Sequence, residues 1–284
     1  MNLFVSPHTR RLIDLALDED HLALDATSQA FFEGHEMEAY LLAKQPLVVA
    51  GLALVPAVFE RVDPRVAIEL KVADGQRVER GTILGELRGD AASLLRGERT
   101  ALNFLQRMCG IATKTARYVD ALDNAQIRLA DTRKTLPGFR ELDKYAVRCG
   151  GGANHRFSLS GGVMVKDNHI TAAGGVAEAV ARVRRIAPHT LKIEVEVSNL
   201  EQTRQAIAAG ADIIMFDNMT TEAMREASAV VRAAAPNVLL EVSGNVTIER
   251  LAELGTLDVD IVSTGAITHS IEAADISMKL RGQA

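Results

Sequence analysis

The sequence predicts an α/β protein: an α+β region with a small, mostly antiparallel sheet, followed by a six-stranded α/β barrel of parallel strands. Three observations carry this. Beyond residue 125, short apolar strands alternate with helical patterns, and strand starts recur every twenty to thirty-odd residues, the mark of a βα repeat. Before that point the repeat is absent, and short strands punctuated by Asp74-Gly75, Arg80-Gly81 and Arg88-Gly89 read as hairpins. Finally, KIEVEV (192–197) sets Ile193, Val195 and Val197 on one face and Lys192, Glu194 and Glu196 on the other. A strand buried under helices on both faces would not tolerate two acids, whereas one lining a polar barrel mouth would.

Element by element, residues 6–20 form a first helix, with Ser6 as N-cap, Pro7 at the first helical position and an apolar stripe of Leu12, Ile13, Leu15 and Ala16. Strands are expected at 36–44 and 47–50, a helix near 52–61, and short strands within 68–89. A helical stretch runs from Asp90 to about Leu122, with Leu102, Phe104, Leu105, Met108 and Ile111 on its buried face; Gly97 and Gly110 are expected to break it into two or three helices. Arg99 within it reads as a surface charge on composition alone. The barrel strands are expected at 127–130, 163–166, 192–197, 212–216, 238–242 and 260–263. The domains are then 1–110 and 111–270, with residues 271–284 a candidate for packing back on the first.

Bulk composition narrows the function. The chain has 284 residues, 48% hydrophobic and 24% charged, with net charge −5. The pI is about 5.8 and mean hydropathy +0.06. Such a chain has ample material for a core, and overall charge argues against a nucleic-acid partner, as does the absence of Trp for base stacking. Cys109 and Cys149 sit at no metal-like spacing, and plain burial in a reducing compartment explains them. The start shows no signal-peptide pattern and no apolar run is long enough to span a bilayer, so a cytoplasmic protein without membrane contact is expected.

Against that acidic background, Asp131–His169 concentrates Arg133, Lys134, Arg140, Lys144, Arg148, His155, Arg156, Lys166 and His169 beside turn-formers and glycines instead of along one helix face. Clustered cations on glycine-rich backbone suit a pocket for several anionic groups; a basic surface loop is the plainer alternative. Polar groups also recur at strand C-terminal ends, where α/β barrels carry their sites: Arg133-Lys134, Lys166-Asp167, Glu196, Asp217-Asn218, Ser243-Gly244-Asn245 and Ser263-Thr264-Gly265-Ala266. The last two read either as a phosphate cradle or as ordinary βα loops. Glu196 and Asp217 suit a ribose diol, hydrated magnesium or acid–base work, or are simply neutralised by nearby lysines. Lys134 and Lys166 suit oxyanion binding or a Schiff base, and His155 and His169 either proton donation or neutral hydrogen bonding. Neither transition-metal spacing nor a dinucleotide or P-loop motif occurs. The residues alone therefore point to a phosphorylated sugar and a carboxylated partner.

Beyond this, ERTALNFLQR, GIAT, DTRKTLPGFRELDKYAVRCGGGANHR, VKDNHI, EVEV, ADIIMFDN, EVSGN and the STGA loop together resemble the quinolinate phosphoribosyltransferase family, in order and spacing, from about residue 66 to 280. The N-terminal third is similar more loosely, with HLALDATS where the family has an acidic-Gly-Asp-Thr turn. The resemblance implies an N-terminal α/β sandwich before the barrel, and decarboxylating transfer of phosphoribose from phosphoribosyl pyrophosphate to quinolinate. It implies Mg2+ with no organic cofactor, Glu196 and Asp217 being candidate ligands through water, and a homodimer or higher oligomer. Arg99, Thr132, Arg133, His155, Arg156 and Lys166 would surround quinolinate, Arg99 arriving from the neighbouring subunit against its reading as a surface charge. Lys134, Glu196 and Asp217, with Ser243, Gly244, Asn245, Thr264, Gly265 and Ala266, would hold the phosphoribosyl part; Lys134, Lys166, Glu196 and Asp217 are the catalytic candidates. A molybdenum-transport-associated relative of the same fold, a non-catalytic sensor barrel and a Schiff-base aldolase are the competing readings.

Overall fold

The computed structural model describes residues 2–21, 25–32 and 34–281. The first third runs α1 (Pro7–Glu19), α2 (Ala26–Phe32), β1 (Glu36–Ala43), β2 (Leu47–Val48), α3 (Leu54–Val62), β3 (Ala67–Leu70), β4 (Arg77–Val78) and β5 (Ile83–Asp90). Then come α4 (Ala91–Leu122), β6 (Arg128–Ala130), α5 (Arg140–Cys149), β7 (Val163–Val165), α6 (Asp167–Ala173), α7 (Val176–Ile186), β8 (Ile193–Val197) and α8 (Leu200–Ala208). The chain ends with β9 (Ile213–Asp217), α9 (Thr221–Ala234), β10 (Leu239–Ser243), α10 (Ile248–Leu254), β11 (Ile261–Ser263), α11 (Ala266–His269) and β12 (Ile276–Leu280). No helix of the described residues is long and apolar enough to cross a membrane.

One compact unit comprises residues 1–116, 136–151 and 270–284. Its sheet, ordered β12-β1-β5-β3, is antiparallel throughout. Period-two alternation buries Ala39, Leu41 and Ala43 of β1 and leaves the opposite face more open. Ser6 caps α1 by accepting the Thr9 N–H at 3.1 Å, and Ile13 and Leu17 are buried. Within the HLALDATS segment, residues 22–24 lie outside the described residues.

The expected breaks at Gly97 and Gly110 do not occur: α4 is one helix of 32 residues. These glycines serve close packing. A Cβ on Gly97 would sit 2.5 Å from the Phe59 ring, and one on Gly110 only 2.2 Å from the Glu272 carbonyl oxygen. The expected division after residue 110 and the parting of the compact units after Ala116 both fall inside this helix, and the first unit also includes residues 136–151 and 270–284.

The second unit, residues 117–135 and 152–269, is the barrel. Its parallel strands are ordered β6-β11-β10-β9-β8-β7, the cyclic succession of six consecutive βα units. Between the two ends of that order, Ala130 forms a parallel bridge with Ala153, just ahead of β7. Strand parity separates two environments. Val165, Ile193, Val195, Val197, Ile214, Phe216, Leu240, Val242 and Val262 are buried and apolar, as strands under helices require. On the alternate parity, Ile213, Leu239 and Ile261 open their strands, and the positions beyond them are polar or sulfur-bearing, as are those of β7 and β8: Met164, Glu194, Glu196, Met215, Asp217, Glu241, Ser243 and Ser263.

Candidate active site

At the C-terminal end of these strands lies a cavity of about 370 Å³. Thr132, Arg133 and Lys134 follow β6; His155 and Arg156 precede β7, which adds Met164 and leads into Lys166. Glu196 comes from β8, Met215 and Asp217 from β9 with Asn218 just beyond, Ser243 from β10 and Ser263 from β11. Glu196 and Asp217 thus meet Arg133, Lys134, His155, Arg156 and Lys166 in one cavity, whereas Asp167 and Glu194 are not among its lining.

Four cations of the 131–169 stretch are not among its lining. Arg140, Lys144 and Arg148 recur every fourth residue of α5, so they do share one helix face, contrary to the reading of that stretch as turns and loops. The two acids of α5 tie it into the first unit. Asp143 receives Arg107 at 3.0 and 2.8 Å, and Glu141 accepts from Ser6 at 2.6 Å and Thr9 at 3.3 Å. His169 is exposed at the start of α6, where its Nδ1 accepts the Lys166 N–H at 3.1 Å. That bond fixes the turn from which the Lys166 side chain departs.

Within the cavity, Lys166 Nζ meets Glu196 Oε1 at 2.6 Å. Arg156 donates to the Gly162 carbonyl at 2.9 Å. Burial, and then the positive charge of Arg133, push the Arg156 pKa down. Its guanidinium is therefore under-compensated, a condition that an incoming anion relieves. The loop carrying His155 and Arg156 is anchored from below by Asp131, fully buried, which accepts the His155 N–H at 2.9 Å and the Asn154 amide at 2.6 Å.

His155 Nδ1 accepts the Arg156 N–H at 2.7 Å, leaving Nε2 as the protonated nitrogen. Nε2 faces two buried carboxylates, Glu194 at 3.3 Å and Glu241 at 3.6 Å. Burial first and the neighbouring Glu194 second push the Glu241 carboxyl up to about 7. Glu241 thus keeps its proton to nearly neutral pH. Sequence reading noted Glu194 only for its alternation and did not single out Glu241. The signal was parity: each acid lies two residues before a cavity residue, Glu196 and Ser243, on the same strand face.

Toward the ends of β10 and β11, the cavity wall takes Ser243 and Ser263, while Gly244, Asn245, Thr264 and Gly265 lie in the loops just after and Ala266 opens α11. The backbone is left-handed at Gly244 (φ +81°) and Asn245 (φ +49°). A Cβ at Gly265 would stand 2.9 Å from the Lys134 stem and 2.8 Å from the His269 ring, so a side chain there would displace one or both. Thr268, fully buried, donates to the Lys134 carbonyl at 2.7 Å, so Lys134 is held on two sides. Thr264 turns its hydroxyl inward, donating to the Val246 carbonyl at 3.4 Å and accepting the Ala266 N–H at 3.2 Å. Arg99 is exposed on α4, in the first unit. Cys109 and Cys149 are buried free thiols whose pKa burial pushes up to about 12 and about 11, which leaves neither as a thiolate nucleophile.

Comparisons with known proteins converge on one family. The sequence profile described as "Quinolinate phosphoribosyl transferase, C-terminal domain" matches residues 111–279, and its N-terminal counterpart matches residues 25–109. The chain is 45% identical over 269 residues to a probable nicotinate-nucleotide pyrophosphorylase [carboxylating] of Bacillus subtilis, covering 95% of this chain and 92% of the relative. It is 41% identical over 271 residues to the nicotinate-nucleotide pyrophosphorylase [carboxylating] of Homo sapiens, covering 95% and 90%. The crystal structure of NadC from Streptococcus pyogenes superimposes with a TM-score of 0.93 at 41% identity, over 99% of both chains. With both profiles matched and its relatives covered almost end to end, the chain belongs to the quinolinate phosphoribosyltransferase family.

Proposed function

We propose that the protein transfers phosphoribose from phosphoribosyl pyrophosphate to quinolinate with loss of carbon dioxide, producing nicotinate mononucleotide and pyrophosphate. The observation that carries this reading is the meeting of Arg133, Lys134, His155, Arg156 and Lys166 with Glu196 and Asp217 in one cavity. A buried dicarboxylate needs paired positive charge, and a ribose diol needs acceptors; this cavity offers both. Arg133, Arg156 and Lys166, with Thr132 and His155 beside them, receive the two carboxylates of quinolinate. Lys134 serves the pyrophosphate side, Glu196 and Asp217 grip the ribose hydroxyls, and the 243–245 and 264–266 loops receive the 5′-phosphate.

In the reaction, the pyridine nitrogen forms a bond to the anomeric carbon as the bond to pyrophosphate breaks. Holding both partners in line supplies much of the acceleration. Positive charge develops on the ribose in that step, and the carboxylates of Glu196 and Asp217 stabilise it electrostatically. The bond to the 2-carboxylate then breaks, its electron pair staying at C2 beside the cationic ring nitrogen until a proton arrives. Entry of quinolinate requires Lys166 to exchange its bond with Glu196 for a substrate carboxylate, which also frees Glu196 for the ribose.

Glu196 and Asp217 end neighbouring strands and offer hard oxygen donors, the kind Mg2+ takes while keeping several waters. When bound there, Mg2+ neutralises pyrophosphate charge. The active form is a homodimer or higher oligomer in the cytoplasm, with Arg99 entering the neighbour's pocket. The test is product analysis with both substrates and Mg2+ present: nicotinate mononucleotide and pyrophosphate must appear in equal amounts. Nicotinate in place of quinolinate must fail, because a bound monocarboxylate takes cations out of water without giving each a partner; efficient use of nicotinate contradicts the reading.

A further inference from the structure

Two asparagines beside the cavity share an uncommon backbone state. Asn218, directly after Asp217, has φ +54°, and Asn245, in the loop after β10, has φ +49°. Asparagine tolerates this left-handed region better than most residues, though at some cost, so two of them facing each other call for a reason. Their side chains supply it. The Asn245 amide donates to Asn218 Oδ1 at 3.1 Å, and the Asn218 amide donates to Asp217 Oδ2 at 3.1 Å.

The order of this chain is chemically determined. A carboxylate only accepts, so Asn218 must turn its NH2 to Asp217 and its carbonyl to Asn245. Asn245 must then give its own NH2 to that carbonyl. The two loops are also joined through backbone, the Asn218 N–H reaching the Ser243 carbonyl at 3.3 Å. Gly244 is where they approach most closely: a Cβ there would fall 2.3 Å from Asn218 Oδ1. Amide bonds aligned toward a charged acceptor reinforce one another.

Resting on the phosphoribosyl-transfer reading, we infer that Asn218 is a positioning residue, through which the 243–245 loop sets the orientation of the Asp217 carboxylate. Seating a phosphate on that loop thereby orders the group that grips the ribose. Asn218 acts through Asp217, so its loss falls on the phosphoribosyl side of the reaction and not on quinolinate.

The test uses the full-length protein with substitutions that keep the left-handed turn. Asn218→Gly removes the side chain where glycine accepts φ +54° without strain. Asn218→Asp keeps shape and tolerance of that φ but replaces the donor with a like charge beside Asp217. The wild-type protein is first shown to make nicotinate mononucleotide; failure there rejects the functional reading, separately from this one. With activity in hand, Asn218→Gly is expected to raise the KM for phosphoribosyl pyrophosphate about tenfold, the scale of one hydrogen bond to a charged group. The KM for quinolinate stays within about twofold. Asn218→Asp is expected to be worse than Asn218→Gly, although a purely structural role makes the near-isosteric variant the milder one. Asn245→Gly, which likewise suits φ +49°, should cost less in the Asn218→Gly background than in the wild type. Asn218→Asp retaining wild-type kinetics, or strictly additive effects of the two asparagines, overturns the inference.

Discussion

Arg133 and Glu241 show how differently two residues of one cavity can be tested. Arg133 is exposed and is proposed to meet a substrate carboxylate, so Arg133→Ala removes one side of an ion pair. Calorimetric titration should show quinolinate affinity falling at least ~30-fold, from about 2 kcal/mol or more for such a loss, with phosphoribosyl pyrophosphate binding retained. Unchanged quinolinate affinity contradicts its assignment. Glu241 touches no proposed substrate atom but carries a carboxyl pushed up to about 7 from 4.5. Between those values the folded protein keeps a proton that the unfolded chain has released. Stability therefore falls as pH rises through that window and stays lower above it. Glu241→Gln should flatten this slope and raise stability at pH 8 by about 3 kcal/mol at most. Denaturation followed from pH 4 to 8 checks it; an unchanged slope refutes the buried-proton account. Neither acid of the Glu194–Glu241 pair could be assigned its partner from sequence, because His155, Glu194 and Glu241 come together only when three separate segments close the barrel.

At the scale of elements, α4 and α5 mark the limits of local reasoning. Glycine inside a helical pattern usually signals a break, and α4 contains two without one. Their use is close contact, which no local pattern reports. Gly110→Ala gains about 1 kcal/mol of helix propensity, yet its methyl must enter space occupied by the Glu272 carbonyl, a backbone atom. Overpacking should win, with a net destabilisation of about 1–3 kcal/mol by urea denaturation. A stabilised variant would contradict this packing role. The start of α1 was legible because its signals are local: Ser6 accepts the Thr9 N–H and Pro7 opens the helix. Its expected stripe was not, for of Leu12, Ile13, Leu15 and Ala16 only Ile13 is buried, Leu15 is exposed, and Leu17 takes the inward place one turn on. The α5 cations were misread because Arg140, Lys144 and Arg148 sit amid glycines in sequence but share a helix face in space. The barrel strands were found within a residue or two, since alternation and βα spacing are dictated by burial under helices.

For the whole molecule, the succession of βα units was readable, and residues 270–284 do belong with the first unit, but the inclusion of residues 136–151 in it was not readable. Residues 136–151 leave the barrel sequence to join the first unit and then return, a path set by tertiary contacts such as Arg107 with Asp143. The proposed entry of Arg99 into a neighbour's pocket is likewise outside what one chain's pattern conveys and rests on family resemblance. It makes a prediction about assembly. Arg99→Ala and Arg133→Ala proteins should each be inactive, whereas refolding them together should restore activity, because a mixed dimer rebuilds one pocket with both arginines. No recovery on mixing, with mixed dimers demonstrated, contradicts the shared pocket.

The central claim is that one cavity binds a pyridine dicarboxylate beside phosphoribose and releases only one carboxylate. Quinolinate labelled separately in its 2- and 3-carboxyl groups tests this most directly, by following label released as carbon dioxide with and without phosphoribosyl pyrophosphate and Mg2+. Release from the 2-position alone, only with both present and matched by nicotinate mononucleotide, is the result predicted. Release without phosphoribosyl pyrophosphate, from the 3-position, or under no condition contradicts it.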